Sequence, residues 1–145
     1  MVFSSFGSRA LTLGQHSETL IHFTPVSWGQ VIRKRFDSFE VGDLVVSSIT
    51  EAELRDGAER SADPQKNHRG LDQLFLTLPV VPFDKAAARE YGNIRRTLER
   101  NATTIGPLDL LIASHARALA LTVVTNNFGE FSRVADLKVE DWGQD

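Results

Sequence analysis

A chain of 145 residues, 41% apolar and 24% charged, suits one domain with a sizeable core. Its net charge of −3 supplies no overall attraction to nucleic acid, and the lack of cysteine removes disulfide scaffolds, Cys-ligated zinc and thiol catalysis. No segment approaches the ~20 apolar residues of a membrane helix, and Met1 to Leu13, with its lone Arg9, lacks the basic start and apolar core of a signal peptide, so a cytoplasmic protein without membrane association is expected.

The first thirty residues carry the weakest pattern. Short apolar runs, Ala10 to Leu13 and Thr19 to Phe23, are broken by Gly14, Pro25, Trp28 and Gly29; they suggest a strand near Leu11 and a helical start near Thr19. Residues 1–30 are therefore set apart as an atypical amino-terminal segment able to hold the first strand, ahead of a single-domain body over 31–145.

From Val31 the periodicities sharpen. Ile32, Phe36 and Phe39 recur at helical spacing, with Arg33-Lys34-Arg35 between them. Leu44-Val45-Val46 reads as a short buried strand, and Thr50-Glu51-Ala52-Glu53 as a capping box that starts a helix running through Arg60. Ser61 to Gly70, polar and with Asp63-Pro64 inside it, predicts a turn or loop. Leu71, Leu74, Phe75 and Leu78 mark a helix, and Pro79-Val80-Val81-Pro82 a strand. Asp84 caps a further helix with the stripe Ala88, Tyr91, Ile94 and Leu98. After a break from Asn101 to Gly106, Pro107 opens a helix carried by Leu108, Leu111, Ile112 and Leu119, with Ala113, Ala116, Ala118 and Ala120 allowing close packing. Thr122-Val123-Val124-Thr125 is another strand, and Val139 with Asp141 a last short one. Short apolar strands alternating with helices imply a parallel sheet covered on both faces, an α/β domain of three layers, α/β/α.

Ligands of such sheets bind beyond the carboxyl ends of the strands. Polar groups expected there are Glu53, Asp109 in the first turn of its helix, and Asn126-Asn127 with Glu130, directly after Val124-Thr125. Carboxylates converging with an amide make an oxygen-rich site for a hard cation, which suits metal-assisted hydrolysis of a phosphodiester. Each residue also has an ordinary structural role: Glu53 closes a capping box, Asp109 complements a helix dipole, the asparagines form a turn and Glu130 is a loop charge. The basic clusters Arg33-Lys34-Arg35 and Arg95-Arg96 with Arg100 are phosphate-binding candidates or solvated helix faces. His16, His22, His68 and His115 show no metal-ligand spacing and are expected at the surface or partly buried.

The order of segments closely resembles the VapC group of PIN-domain toxins, the ribonucleases of toxin–antitoxin modules. The matching stretches are Val46-Ser47-Ser48-Ile49-Thr50-Glu51-Ala52-Glu53-Leu54 and Gly57-Ala58-Glu59-Arg60-Ser61, then Ile105-Gly106-Pro107-Leu108-Asp109-Leu110-Leu111-Ile112-Ala113. Val124-Thr125-Asn126-Asn127 with Glu130-Phe131, and Val139-Glu140-Asp141-Trp142, complete the set.

The resemblance implies a PIN fold with acidic residues around magnesium or manganese, hydrolysing phosphodiester bonds in single-stranded RNA, with transfer RNA among the target classes. It makes Glu53 and Asp109 the catalytic metal ligands, with Asn127 and Glu130 as further contributors and Thr125 orienting that end of the site. It further implies a homodimer and a VapB-like antitoxin, through which alone the complex touches DNA. The departure lies at the amino end, where the family's Leu-Asp-Thr-Asn motif and its metal-binding aspartate are missing. Aligning Thr19-Leu20-Ile21-His22-Phe23 with the family's residues just after that motif puts His16 at the aspartate position and Glu18 at that of the asparagine. Three readings stand side by side: an active metal-dependent endoribonuclease, a PIN domain that dimerises and binds its antitoxin without cleaving, and an unrelated α/β interaction protein whose acids are all caps.

Overall fold

Parallel strands can be joined only by crossovers, and from the second strand onward helices supply them. The computed structural model describes residues 19–22, 37–40 and 43–142. Strands β1 (Thr19–His22), β2 (Leu44–Ser47), β3 (Val80–Val81), β4 (Thr122–Thr125) and β5 (Val139–Glu140) form one five-stranded sheet in the order β3-β2-β1-β4-β5. Every pairing is parallel; Thr19 stands opposite Leu44 and Thr122, and His22 opposite Thr125. The helices are α1 (Ser48–Glu59), α2 (Pro64–Thr77), α3 (Lys85–Arg100), α4 (Pro107–Ala118) and the short α5 (Phe128–Phe131).

The chain moves from β1 to β2 and β3 on one side, then returns past β1 to β4 and β5 on the other. Because crossovers are right-handed, this reversal sends helices to both faces, giving the α/β/α layering expected from the sequence. It also creates a switch point between β1 and β4, where the carboxyl ends of parallel strands leave a crevice.

The core fills from the sheet outward. Leu44, Val45 and Val46 of β2 and Val123 and Val124 of β4 are buried, covered by Ile94 and Leu98 of α3 and by Leu110, Ile112, Ala113 and Ala116 of α4. Small residues at Ala87, Ala113 and Ala116, all fully buried, suit the close packing of α3 on α4. Trp142 closes the far end, stacked on Phe39 with ring centroids 5.2 Å apart.

Several elements differ from their sequence reading. The helix after β2 starts at Ser48, capped by Ser47, whose hydroxyl accepts from Ile49 N at 3.1 Å. Thr50 to Glu53 thus lies inside α1 rather than forming a capping box at its start, because the strand runs into the helix without a loop. The stretch from Ser61 to Gly70 is mostly helix: Asp63 accepts from Lys66 N at 3.0 Å, and Pro64 takes the first position. On α3 the inward residue is Ala87, while Ala88 is exposed; on α4 it is Leu110, while Leu108 is 46% exposed.

Ala120 is not a packing alanine but the left-handed residue (φ 56°) that ends α4. Ala120 N donates to Arg117 O and Leu121 N to Ala116 O, a Schellman stop that Ala102 (φ 54°) repeats after α3. Residues 19–22 are strand instead of a helical start, and residues 37–40 are turn and irregular chain, so Phe39 lies outside any helix. The expected strand near Leu11, the helical residues Ile32 and Phe36, the basic triplet 33–35, and His16 and Glu18 lie outside the described residues. Among the described residues no helix is long and apolar enough to cross a membrane.

Candidate active site

The switch point gathers three segments. Thr125 ends β4 and is buried, and its hydroxyl accepts from Asn127 N at 3.0 Å, turning the chain over the sheet edge. That turn lets Asn127 Nδ2 donate to Asp109 Oδ2 at 2.8 Å. Asp109 lies in the first turn of α4, whose N-cap, Gly106, has no side chain with which to cap it. The cap comes instead from across the site: Glu130 Oε2 accepts from Gly106 N at 2.8 Å. A Cβ at Gly106 would stand 3.5 Å from Glu130 Oε2 and 3.7 Å from Asp109 Oδ2, so both carboxyl groups converge over this glycine.

The electrostatics arise from that convergence. A first-turn acid normally gains from the helix dipole, which favours ionisation. Burial works against the charged form of Asp109, and a hydrogen bond and like charge from Glu130 add to it, with Glu53 contributing further repulsion. These outweigh the Asn127 amide and push Asp109 up to about 6. Glu53 sits on α1 with Oε2 buried and without a hydrogen bond, and burial raises its pKa as well.

Of the four residues that the sequence put forward, Asp109, Asn127 and Glu130 therefore form one hydrogen-bonded unit, and Glu53 reaches it through its charge. Among the described residues no group of three or more His, Asp and Glu side chains stands close enough to hold an ion together. A hydrated divalent cation does not need one: magnesium commonly keeps several waters and takes one or two carboxylates. The donor set is all oxygen, its negative charges are mutually destabilising and one buried carboxylate oxygen is unsatisfied, which together fit a hard cation.

Two supports had no clear sequence signal. Gly106 is visible only as a glycine before Pro107. His115, expected at the surface or partly buried, is fully buried; its Nδ1 is hydrogen-bonded to the Ser47 hydroxyl at 3.0 Å while that hydroxyl caps α1, and its ring meets Phe83 edge-on at 5.5 Å. Burial lowers its pKa to about 4, partly offset by Asp84 and the Pro82 backbone. The ring is thus neutral at pH 7. This contact ties the start of α1, which carries Glu53, to α4, which carries Asp109. The Arg95 charge, in contrast, is offset by Glu99 on α3, in keeping with a solvated face.

Comparison with known proteins gives the arrangement its class. The PIN-domain family model matches residues 29–137. The tRNA(fMet)-specific endonuclease VapC of Shigella flexneri is 41% identical over 111 residues, covering 77% of this chain and 83% of that protein. Ribonuclease VapC2 of Haemophilus influenzae is 39% identical over 111 residues, again covering 77% and 83%. The crystal structure of DNA-bound VapBC from Salmonella typhimurium superposes with a TM-score of 0.74 at 40% identity, covering 79% of this chain and 86% of that one. The chain belongs to the PIN-domain family and, within it, to the VapC-type ribonuclease toxins of toxin–antitoxin modules.

Proposed function

We propose that this protein is the toxin of a toxin–antitoxin module, an endoribonuclease that hydrolyses phosphodiester bonds in RNA at the carboxyl end of β4. The observation that carries this reading is the Asp109–Glu130 carboxyl pair, braced by Asn127 and Gly106 over the switch point. Asp109 and Glu130 would hold a divalent cation, magnesium or manganese, with Glu53 adding negative charge from α1. When bound, such an ion polarises a phosphoryl oxygen and lowers the pKa of an attacking water. Asn127 fixes Oδ2 of Asp109, and Gly106 N fixes Oε2 of Glu130. Thr125 holds Asn127 in that position through its backbone N–H.

Transfer RNA is the substrate class we infer, from relatives named as tRNA(fMet)-specific endonucleases. The partner is a VapB-like antitoxin, as in the VapBC complexes that share this fold, and it brings any contact with DNA. A homodimer and a cytoplasmic setting accord with the same reading, as does a single PIN-domain body over residues 31–145. The missing amino-terminal aspartate is what suggests a non-cleaving antitoxin-binding module, and the relatives named as ribonucleases and endonucleases favour cleavage over it. His22 stands at the carboxyl end of β1, opposite Thr125.

The test is cleavage of unfractionated transfer RNA by the purified chain, with magnesium or with a chelator, beside Asp109→Ala. Magnesium-dependent cleavage that disappears in the variant supports the reading. Cleavage that survives both the chelator and Asp109→Ala overturns it.

A further inference from the structure

An acidic site repels the phosphates of its own substrate, so affinity must come partly from groups other than charge. Three large apolar side chains are exposed among the described residues: Leu76, Leu108 and Phe128. Two of them flank the acidic unit, since Leu108 precedes Asp109, Phe128 comes directly after Asn127, and Asp109 and Asn127 are themselves bonded. Phe128 and Phe131 occupy one short helix, yet Phe131 is fully buried while Phe128 is 45% exposed. The fold uses the first ring of α5 for no aromatic stacking contact among the described residues. A cation stands on the same rim: Arg133, two residues beyond α5, donates to Thr104 O at 2.9 Å, just before the Ile105-Gly106 turn.

We propose that Phe128 is a stacking platform for an unpaired base of single-stranded RNA, next to the phosphate placed over Asp109 and Glu130. This rests on the ribonuclease reading above. An aromatic face gains affinity for any base without needing positive charge, and it selects unpaired nucleotides, because paired bases have no free face to offer. Phe128 thereby biases cleavage toward loops, and it acts in binding rather than in the chemical step.

The experiment measures KM and kcat for cleavage of a short fluorescein-labelled single-stranded RNA by the wild type, Phe128→Ala, Phe128→Trp and, as an exposed apolar control on α2, Leu76→Ala. Phe128→Ala should raise KM roughly 10-fold, with kcat held within about twofold, while Leu76→Ala changes neither. Phe128→Trp should keep the wild-type KM, and its fluorescence should fall on adding the RNA. A KM unchanged in Phe128→Ala, while the wild type cleaves, overturns the stacking role and leaves the ribonuclease reading intact. A wild type that neither binds nor cleaves the RNA overturns both.

Discussion

Two glutamates two residues apart on α1 meet opposite surroundings. Glu51 accepts from Arg55, whose guanidinium also reaches Asp72 at 2.6 Å and the His68 carbonyl at 3.2 Å, and lies over the Phe75 ring. Beside them His68 meets Glu59, so the acids between α1 and α2 have basic partners within the chain. Glu53 is half-buried, its charge repels that of Asp109, and one of its oxygens has no hydrogen bond. The first arrangement satisfies itself and fastens two helices. The second keeps its acids crowded and one oxygen unsatisfied, which supports the proposed functional role over a structural one.

Substitutions should separate the two regions sharply. The largest effect is expected at Asp109: Asp109→Ala should reduce cleavage more than about 100-fold. In the cation-free protein, relief of acid crowding by Asp109→Asn should raise the melting temperature, at about 3 °C per kcal/mol for a domain of this size. A variant that lost activity and stability together would place Asp109 with the structural acids instead. Next comes Asn127→Ala, which removes the brace but no charge and should weaken divalent-cation affinity about 10- to 100-fold, read by calorimetric titration.

The pH dependence of folding without cation sharpens the contrast further. Asp109 has its pKa raised from 3.8 to about 6, so its contribution to stability is full below pH 4 and is lost as pH rises through 6. His115 has its pKa lowered from 6.5 to about 4, so its contribution is full above pH 6.5 and is lost as pH falls through 4. The two slopes oppose each other in the wild type. In Asp109→Asn only the raised Glu53 still opposes the His115 slope, and chemical-denaturation stability should climb more steeply between pH 4 and 6.5 than in the wild type. The smallest effect belongs to the self-satisfied region, where Arg55→Ala should cost about 1 kcal/mol of stability and leave cleavage unchanged, since partly exposed ion pairs contribute little each.

Much of this was legible in the sequence because it is local. The apolar run of β4, the Asp84 cap and Pro107 at a helix start each carry their own signal, and those elements place Asp109 and Asn127 directly. Other features depend on distant partners. Nothing near His115 announces that Ser47, sixty-eight residues earlier, will receive its ring. Glu130 reads as a loop charge until α5 brings it to the bare N-terminus of α4. Glu53 has the spacing of a cap, and only the start of α1 at Ser48 shows that it is free for another use. The Schellman stops at Ala102 and Ala120 were hidden because glycine, the residue usually found there, is absent.

The proposed function rests on Asp109 and Glu130 together seating a divalent cation. Calorimetric titration of the wild type with manganese at pH 6, in buffers of different ionisation enthalpy, tests it most directly. A cation seated on the pair must displace the proton that the raised pKa of Asp109 keeps on part of the population at that pH. One binding event per chain, releasing protons and lost in Asp109→Asn, is the predicted result. Binding that releases no proton and persists in Asp109→Asn would contradict it.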